Sequence, residues 1–419
     1  MSLGIGATAA IVAWNALVFW IERTGASPIA TAEADHLTLP GWEYPAARSR
    51  PHLRQLREEG NIPGLAVAVA DGGRIAWSET SGYADVERQN PVRRNTRFRI
   101  QSLSKTLTAS ALMRLHEQGR LRLDRSVFAD VPSYGDKGRA ITAMQLASHR
   151  SGIRAYRDDS EAMESRHCET AKDAIAAFRD DPLVFPPGTD SVYSNFGYQL
   201  LGAQLEAVTG TPFPVLMREH VFEPLGMRDT PEYRLGGSGP TDSEAYDFVT
   251  PYSRSGRRVR SPHIDFTCRW PSGGFLSSAE DMVRFATAHS ISGRGRFLSR
   301  QGLELLFQPQ TPPRSPIGVG MGWLVGRDWR LRRVVFNFGA GSGGRGFMVL
   351  YPDDDVTLVI LANLGHARMD MERLCRIAVP FLRSYRAPWP EGSLLVSVIS
   401  WAGFIRQRRI PSGPVHPSV

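Results

Sequence analysis

Phe98-Arg99-Ile100-Gln101-Ser102-Leu103-Ser104-Lys105 leads into an amphipathic run at residues 106–115, and Gly119 supplies a stop signal. A helix starting here puts Ser102 at or near its N-terminus and Lys105 three residues on, with both side chains on one face. That geometry suits nucleophilic catalysis. A neutral amine within hydrogen-bond reach takes the serine proton, and the helix N-terminus stabilises developing negative charge. Ser-x-x-Lys is a common tetrapeptide, and a serine N-cap beside a solvated lysine would explain it equally well. Composition tips the balance. The chain of 419 residues contains three lysines, Lys105, Lys137 and Lys172, against 47 arginines, and Ser102-to-Lys105 is its only Ser-x-x-Lys. In such a background a retained lysine is a candidate for what arginine cannot do, which is to lose its proton and act as a base.

A second constellation lies downstream. Pro186-Pro187-Gly188-Thr189 precedes Tyr193-Ser194-Asn195, and a helical pattern follows over residues 198–208. A Tyr and an Asn two residues apart, at a turn before a helix, direct a phenol and an amide into one cleft. The phenol can relay a proton to a leaving group, and the amide can hold a substrate amide.

Around these segments, residues 64–70 and 74–82 alternate about Asp71-Gly72-Gly73, a hairpin signal. Helical spacing covers residues 104–119, and strand patterns return at 320–325, 334–338, 346–351 and 356–362. The order predicts an α/β (α+β) domain over residues 48–386. Its antiparallel sheet is built from both ends of the domain and flanked by helices, with a mostly helical subdomain inserted. A hydrophobic fraction of 42% is ordinary for a folded chain of this length, and the net charge of +8 reads as scattered surface arginine. No nucleic-acid-binding signature accompanies that charge, so no nucleic-acid partner is expected.

Together the two constellations resemble the serine β-lactamase-like hydrolases, a family that includes class C β-lactamases, DD-carboxypeptidases and related esterases. The resemblance extends to Ile62-Pro63-Gly64, Thr96-Arg97-Phe98, Ile141-Thr142, His149-Arg150-Ser151-Gly152 and Gly273-Gly274-Phe275. It implies Ser102 as the acylated nucleophile, Lys105 as base, Tyr193 as proton relay and Asn195 as a substrate-binding amide. The family's third motif, Lys or His, then Thr, Ser or Gly, then Gly, falls on Asn337-Phe338-Gly339. Gly339 and Ala340 keep a close backbone approach, with the Ala340 N–H as a second oxyanion donor. Asn337 lacks the charge that substrate carboxylates require. An ester or neutral amide is therefore the expected substrate. The alternatives are a catalytically impaired binding or sensor protein, and a DD-carboxypeptidase or β-lactamase proper.

No cofactor or metal is expected. Gly339-Ala340-Gly341-Ser342-Gly343-Gly344 satisfies GxGxxG, but a strand follows where dinucleotide binding needs a helix. Cys168, Cys268 and Cys375 show no metal-ligand spacing. They argue against a disulfide framework, while leaving open a single bridge. Residues 3–21 are apolar or small apart from Asn15, about the length needed to span a bilayer. With no Lys or Arg ahead of them, they read as a membrane anchor within a 1–47 leader and linker, which puts the domain in a periplasmic or other extracytoplasmic space. The 387–419 tail carries a shorter apolar run, 394–405, followed by basic residues.

Overall fold

Alternation in Gly64-Leu65-Ala66-Val67-Ala68-Val69-Ala70-Asp71 sorts large and small side chains to opposite faces of a strand. In the computed structural model both faces are buried. Leu65, Val67 and Val69 enter one core, while Ala66, Ala68 and Ala70 line another, where their small side chains let helices approach closely. The structure describes residues 32–230, 248–249, 259–261, 264–290, 292–293, 295–310, 316–328, 331–365, 367–369 and 371–383. The apolar runs at 3–21 and 394–405 lie outside the described residues. No helix among the described residues is long and apolar enough to cross a membrane.

The elements that place the site begin with β1 (His36–Thr38), α1 (Glu43–Glu59), β2 (Gly64–Asp71), β3 (Arg74–Asp85) and α2 (Ser104–Glu117). They continue with α3 (Asn195–Thr209), α4 (Ala279–Thr287), β4 (Gly318–Val319), β5 (Leu324–Arg327), β6 (Arg333–Gly341), β7 (Gly344–Tyr351), β8 (Val356–Ala362) and α5 (Met371–Ala378). The main sheet runs β1-β3-β2-β8-β7-β6-β5-β4, with Asn90–Pro91 added beside β3, and every pairing is antiparallel. Strands from the two ends of the domain meet where β2 pairs with β8, and the chain between them is largely helical. The α/β architecture expected from the order of patterns is the one observed.

Helix α1 contributes Leu53 and Leu56, and α5 contributes Leu374 and Ile377, to the core on the outer face. Helices α2, α3 and α4 fill the core on the other. Described residues ahead of 48 also join the sheet and its outer core. Leu37 pairs opposite Ser78, and Trp42 stacks on Phe381 at 5.9 Å, so residues 36–47 are held by sheet hydrogen bonding and ring contact.

One further departure, and one outcome that the sequence left open, bear on the site. The expected strand at 320–325 is broken into β4 and β5 by a turn at Gly320-Met321-Gly322. There the Gly320 N–H donates to the Trp323 carbonyl at 2.8 Å, and the Gly322 N–H donates to Ala147 at 3.0 Å. The turn presses on α2: a Cβ at Gly322, whose φ is +77°, would stand 2.9 Å from the Lys105 carbonyl oxygen. In addition, Cys168 and Cys268 form a disulfide across 100 residues, and Cys375 stays a thiol.

Because Gly322 combines a left-handed backbone with a backbone neighbour that cannot yield, Gly322→Ala should lower unfolding stability by about 2 kcal/mol or more. Urea denaturation followed by circular dichroism measures this, and a change below about 0.5 kcal/mol would refute the close packing of this turn on α2.

Candidate active site

The segment carrying Ser102 is fixed before its helix begins. Phe98–Arg99 pairs with Leu276–Ser277, and the Ile100 N–H donates to the Phe275 carbonyl at 3.2 Å. A 3-10 turn, Gln101–Leu103, then carries Ser102 into α2. Gln101 has φ +51°, an uncommon conformation for a residue with a side chain. Its Nε2 donates to the Ser342 carbonyl at 2.9 Å, tying this turn to the β6–β7 hairpin. Backbone strain of this kind collects at functional sites.

Lys105 is the centre of the constellation. Its side chain is 1% exposed, and Nζ lies 2.5 Å from the Ser272 carbonyl oxygen, 2.7 Å from Asn195 Oδ1 and 3.2 Å from Ser102 Oγ. The rings of Tyr193 and Tyr198 flank it at 4.8 and 5.5 Å. Among the described residues no carboxylate contacts it. Burial alone holds the amine well below the ordinary lysine range, because a dry site disfavours the charged form. Tyr193 Oη stands 2.5 Å from Ser102 Oγ, and burial pushes the phenol upward, so it keeps its proton.

Helix α3 positions the second motif. Ser194 is its N-cap: Oγ accepts from the Gly197 N–H at 3.0 Å and donates to the Arg154 carbonyl at 2.7 Å. Asn195, the first helical residue, therefore turns Oδ1 onto Lys105. His149 holds the same turn from behind. Its Nδ1 accepts from the Ser194 N–H at 3.2 Å, and its ring lies 4.6 Å from that of Tyr193. Burial first, and Lys105 second, depress the imidazole to about 3, which keeps it neutral with its proton on Nε2.

The third motif is placed differently from the first two. Asn337 lines a narrow cavity of about 20 Å³ together with Lys105, His149, Tyr193 and Trp323. Both ends of its amide are engaged by backbone: Nδ2 donates to Gly322 at 2.7 Å, and Oδ1 accepts from the Phe338 N–H at 2.6 Å. Phe338 points to the far face of the sheet, 5.1 Å from the Phe347 ring. Gly339 is required by contact, since a Cβ there would lie 2.1 Å from the Ile100 carbonyl oxygen. Ala340 follows on β6, paired opposite Arg345. Ser102, Lys105, Tyr193 and Asn195 thus form one hydrogen-bonded cluster. Gly339 lies against the turn that carries Ser102, and Asn337 stands beside the cluster with its amide engaged elsewhere.

A family model described as Beta-lactamase matches residues 50–378. The chain belongs to the beta-lactamase family. Among curated relatives it is similar to the serine beta-lactamase-like protein LACTB, mitochondrial, of Homo sapiens, 29% identical over 308 residues, which is 57% of this chain and 55% of that protein. It is also similar to protein flp of Staphylococcus aureus strain MW2, 26% identical over 322 residues, covering 74% of this chain and 61% of that protein. The chain thus spans little more than half the length of these relatives. In fold it resembles the octameric penicillin-binding protein homologue from Pyrococcus abyssi, with a TM-score of 0.68 at 24% identity, covering 78% of this chain and 75% of that one.

Within this beta-lactamase fold, sequence reasoning missed the Ser272 carbonyl, Gln101 and the part played by His149 in holding the Tyr193 turn. Gly273-Gly274 was the one available signal for Ser272. A Cβ at Gly274 would lie 2.8 Å from both the Phe266 carbonyl oxygen and the Trp270 nitrogen, so this tight turn needs glycine.

Folded His149 takes up its proton near 3, against 6.5 for an ordinary imidazole, so unfolding is favoured as pH falls through that window. The stability difference between wild type and His149→Gln should change by about 1.4 kcal/mol per pH unit between about pH 6 and 4. Paired urea titrations across that range check this. A constant difference would mean that His149 is not held neutral.

Proposed function

We propose that this member of the beta-lactamase family is a serine hydrolase that cleaves an ester or neutral amide through an acyl-enzyme on Ser102. The observation that carries this reading is the set of neighbours around Lys105 Nζ. A neutral amine has two N–H groups and one lone pair. The Ser272 carbonyl and Asn195 Oδ1 accept the two N–H groups, which leaves the lone pair for the Ser102 hydroxyl.

In the acylation step Ser102 Oγ attacks the substrate carbonyl carbon, and its proton passes to Lys105. The backbone N–H groups of Ser102 and Ala340 receive the charge that develops on the carbonyl oxygen. Tyr193, protonated at rest and in contact with Oγ, gives its proton to the departing alcohol or amine, and the proton held by Lys105 restores the phenol. Water then attacks the acyl-serine by the reverse proton route. Asn195 has one end engaged by Lys105, so its Nδ2 group is the donor left to face substrate. This narrows its expected role from a substrate-binding amide to a single donor that also orients the base.

The substrate class follows from Asn337. This position has no charge, and its amide is engaged by Gly322 and Phe338, so it offers nothing to a substrate carboxylate. Penicillins and D-alanyl peptides are accordingly poorer candidates than a neutral ester. The same feature is the one that favours a catalytically impaired binding protein. The intact cluster of Ser102, Lys105, Tyr193 and Asn195 supports the enzyme. Membrane placement rests on the sequence of residues 3–21 alone.

Hydrolysis of p-nitrophenyl butyrate tests the proposal. Wild type should turn over, and Ser102→Ala and Lys105→Arg should each lose about a thousandfold or more in kcat/KM. Because Lys105 acts as the free amine, activity should fall as pH drops through its lowered pKa. Retained activity in folded Lys105→Arg would refute the base assignment. A chromogenic cephalosporin turned over faster than the ester would refute the substrate class.

A further inference from the structure

The two acceptors that hold Lys105 belong to segments tied together by the only disulfide among the described residues. Cys268 lies four residues before Ser272. Between them Pro271 gives its carbonyl to Thr108 Oγ1 at 2.8 Å, and its ring packs where a Cβ on Gly202 of α3 would stand, 2.2 Å away. Cys168 lies just before the 3-10 turn Ala171–Ala177, and the Ala171 N–H donates to Glu206 Oε2 on α3 at 2.9 Å. Helix α3 begins with Asn195, the other acceptor of Lys105.

The two cysteine segments form a strap. The Cys168 N–H donates to Thr267 Oγ1 at 2.8 Å, the Asp265 N–H to Ser165 Oγ at 2.8 Å, and Arg269 Nη2 to the Glu164 carbonyl at 2.5 Å. His167 Nδ1 meets Asp265 Oδ2 at 2.8 Å. Arg269 then reaches over the rings of Phe266 and Tyr156 at 5.5 and 5.8 Å. Apart from the S–S bond and the buried Cys168–Thr267 hydrogen bond, these links are exposed polar contacts, individually weak against competing water. Cys168 is 1% exposed, whereas Cys268 is half-buried, so Cys268 is the half of the bridge nearer solvent.

We propose that the Cys168–Cys268 disulfide is a redox control on the Ser102–Lys105 site: closed, it holds the Ser272 carbonyl against Lys105, and opened by a dithiol it releases that carbonyl and slows acylation of Ser102. The inference rests on the reading of Ser102 and Lys105 as nucleophile and base. In the reduction a dithiol thiolate attacks Cys268 Sγ, the S–S bond breaks, and Cys168 leaves as thiolate. The second thiol of the reductant then closes on the mixed disulfide and frees Cys268. Two electrons and two protons pass to the protein, and the reductant leaves as a cyclic disulfide. With the strap open, water reaches Lys105, its charged form is less disfavoured, and the amine is protonated over more of the pH range.

The test measures the rate at which a fluorophosphonate labels Ser102 in the full chain, oxidised and after dithiothreitol. Alkylation and mass spectrometry count the free thiols, one of the three cysteines when oxidised and all three when reduced. Circular dichroism monitors the fold. Reduction of the folded chain should slow labelling by about tenfold or more, move the acid limb of the labelling profile to higher pH, and reverse on reoxidation. The double variant Cys168→Ser/Cys268→Ser should label slowly with or without dithiothreitol.

Equal rates with three thiols counted would overturn the inference. So would a disulfide that dithiothreitol cannot open without unfolding the chain, or a slowing with no movement of the acid limb, which marks a merely structural bridge. Oxidised wild type that fails to label at all would instead sink the Ser102 reading, and the inference with it.

Discussion

A primary amine enclosed by protein, with no carboxylate in contact among the described residues, is costly to charge, and the site depends on that constraint at Lys105. To remain buried as a free base the amine still needs acceptors for its N–H groups. The structure supplies them from two directions, a main-chain carbonyl at Ser272 and a side-chain oxygen at Asn195. Each comes with its own support. Ser272 follows Pro271, which is bonded to α2 through Thr108, and Asn195 starts a helix whose cap and preceding turn are held by Arg154 and His149. Disfavouring charge on the lysine and fixing its orientation are the same structural act, because the groups that exclude water also engage its hydrogens.

The remainder of the fold serves this placement. The hairpin of β6 and β7 brings Gly339 against the Ile100 carbonyl, and the β4–β5 turn brings Gly322 against the backbone of Lys105. At both points a side chain would intrude on main chain. The sheet is assembled from the two ends of the domain, so the helix that follows Ser102 is gripped by strands far apart in sequence. Loss of charge at Asn337 fits the same picture. Its amide fastens β6 to the Gly322 turn, a role that a lysine could not fill with the same two-sided bonding.

Much of this was legible in the sequence, for reasons that differ by element. Ser102 and Lys105 could be paired because helical spacing puts i and i+3 on one face, and the scarcity of lysine singled out Lys105. Tyr193 and Asn195 could be joined to them because a Pro-Gly turn before a helix has a readable signature. The hairpin of β2 and β3 followed from alternation. What escaped was carried by backbone groups or by long-range contact. The Ser272 carbonyl and the left-handed Gln101 have no side-chain signature. The pairing of Cys168 with Cys268 spans 100 residues and cannot be deduced from cysteine count. Strand β1 is three residues long and gains its place only from β3, and the break at Gly320-Met321-Gly322 answers to the closeness of α2.

The central claim is that Lys105 is a free amine in the resting protein. With three lysines in the chain, selective isotopic labelling of lysine side chains gives a spectrum in which the resonance lost in Lys105→Arg identifies its amine directly. Followed by NMR against pH, that resonance should change to that of the neutral amine well below the ordinary lysine range, as burial dictates. A Lys105 signal that stays that of an ammonium up to about pH 10 would contradict the account.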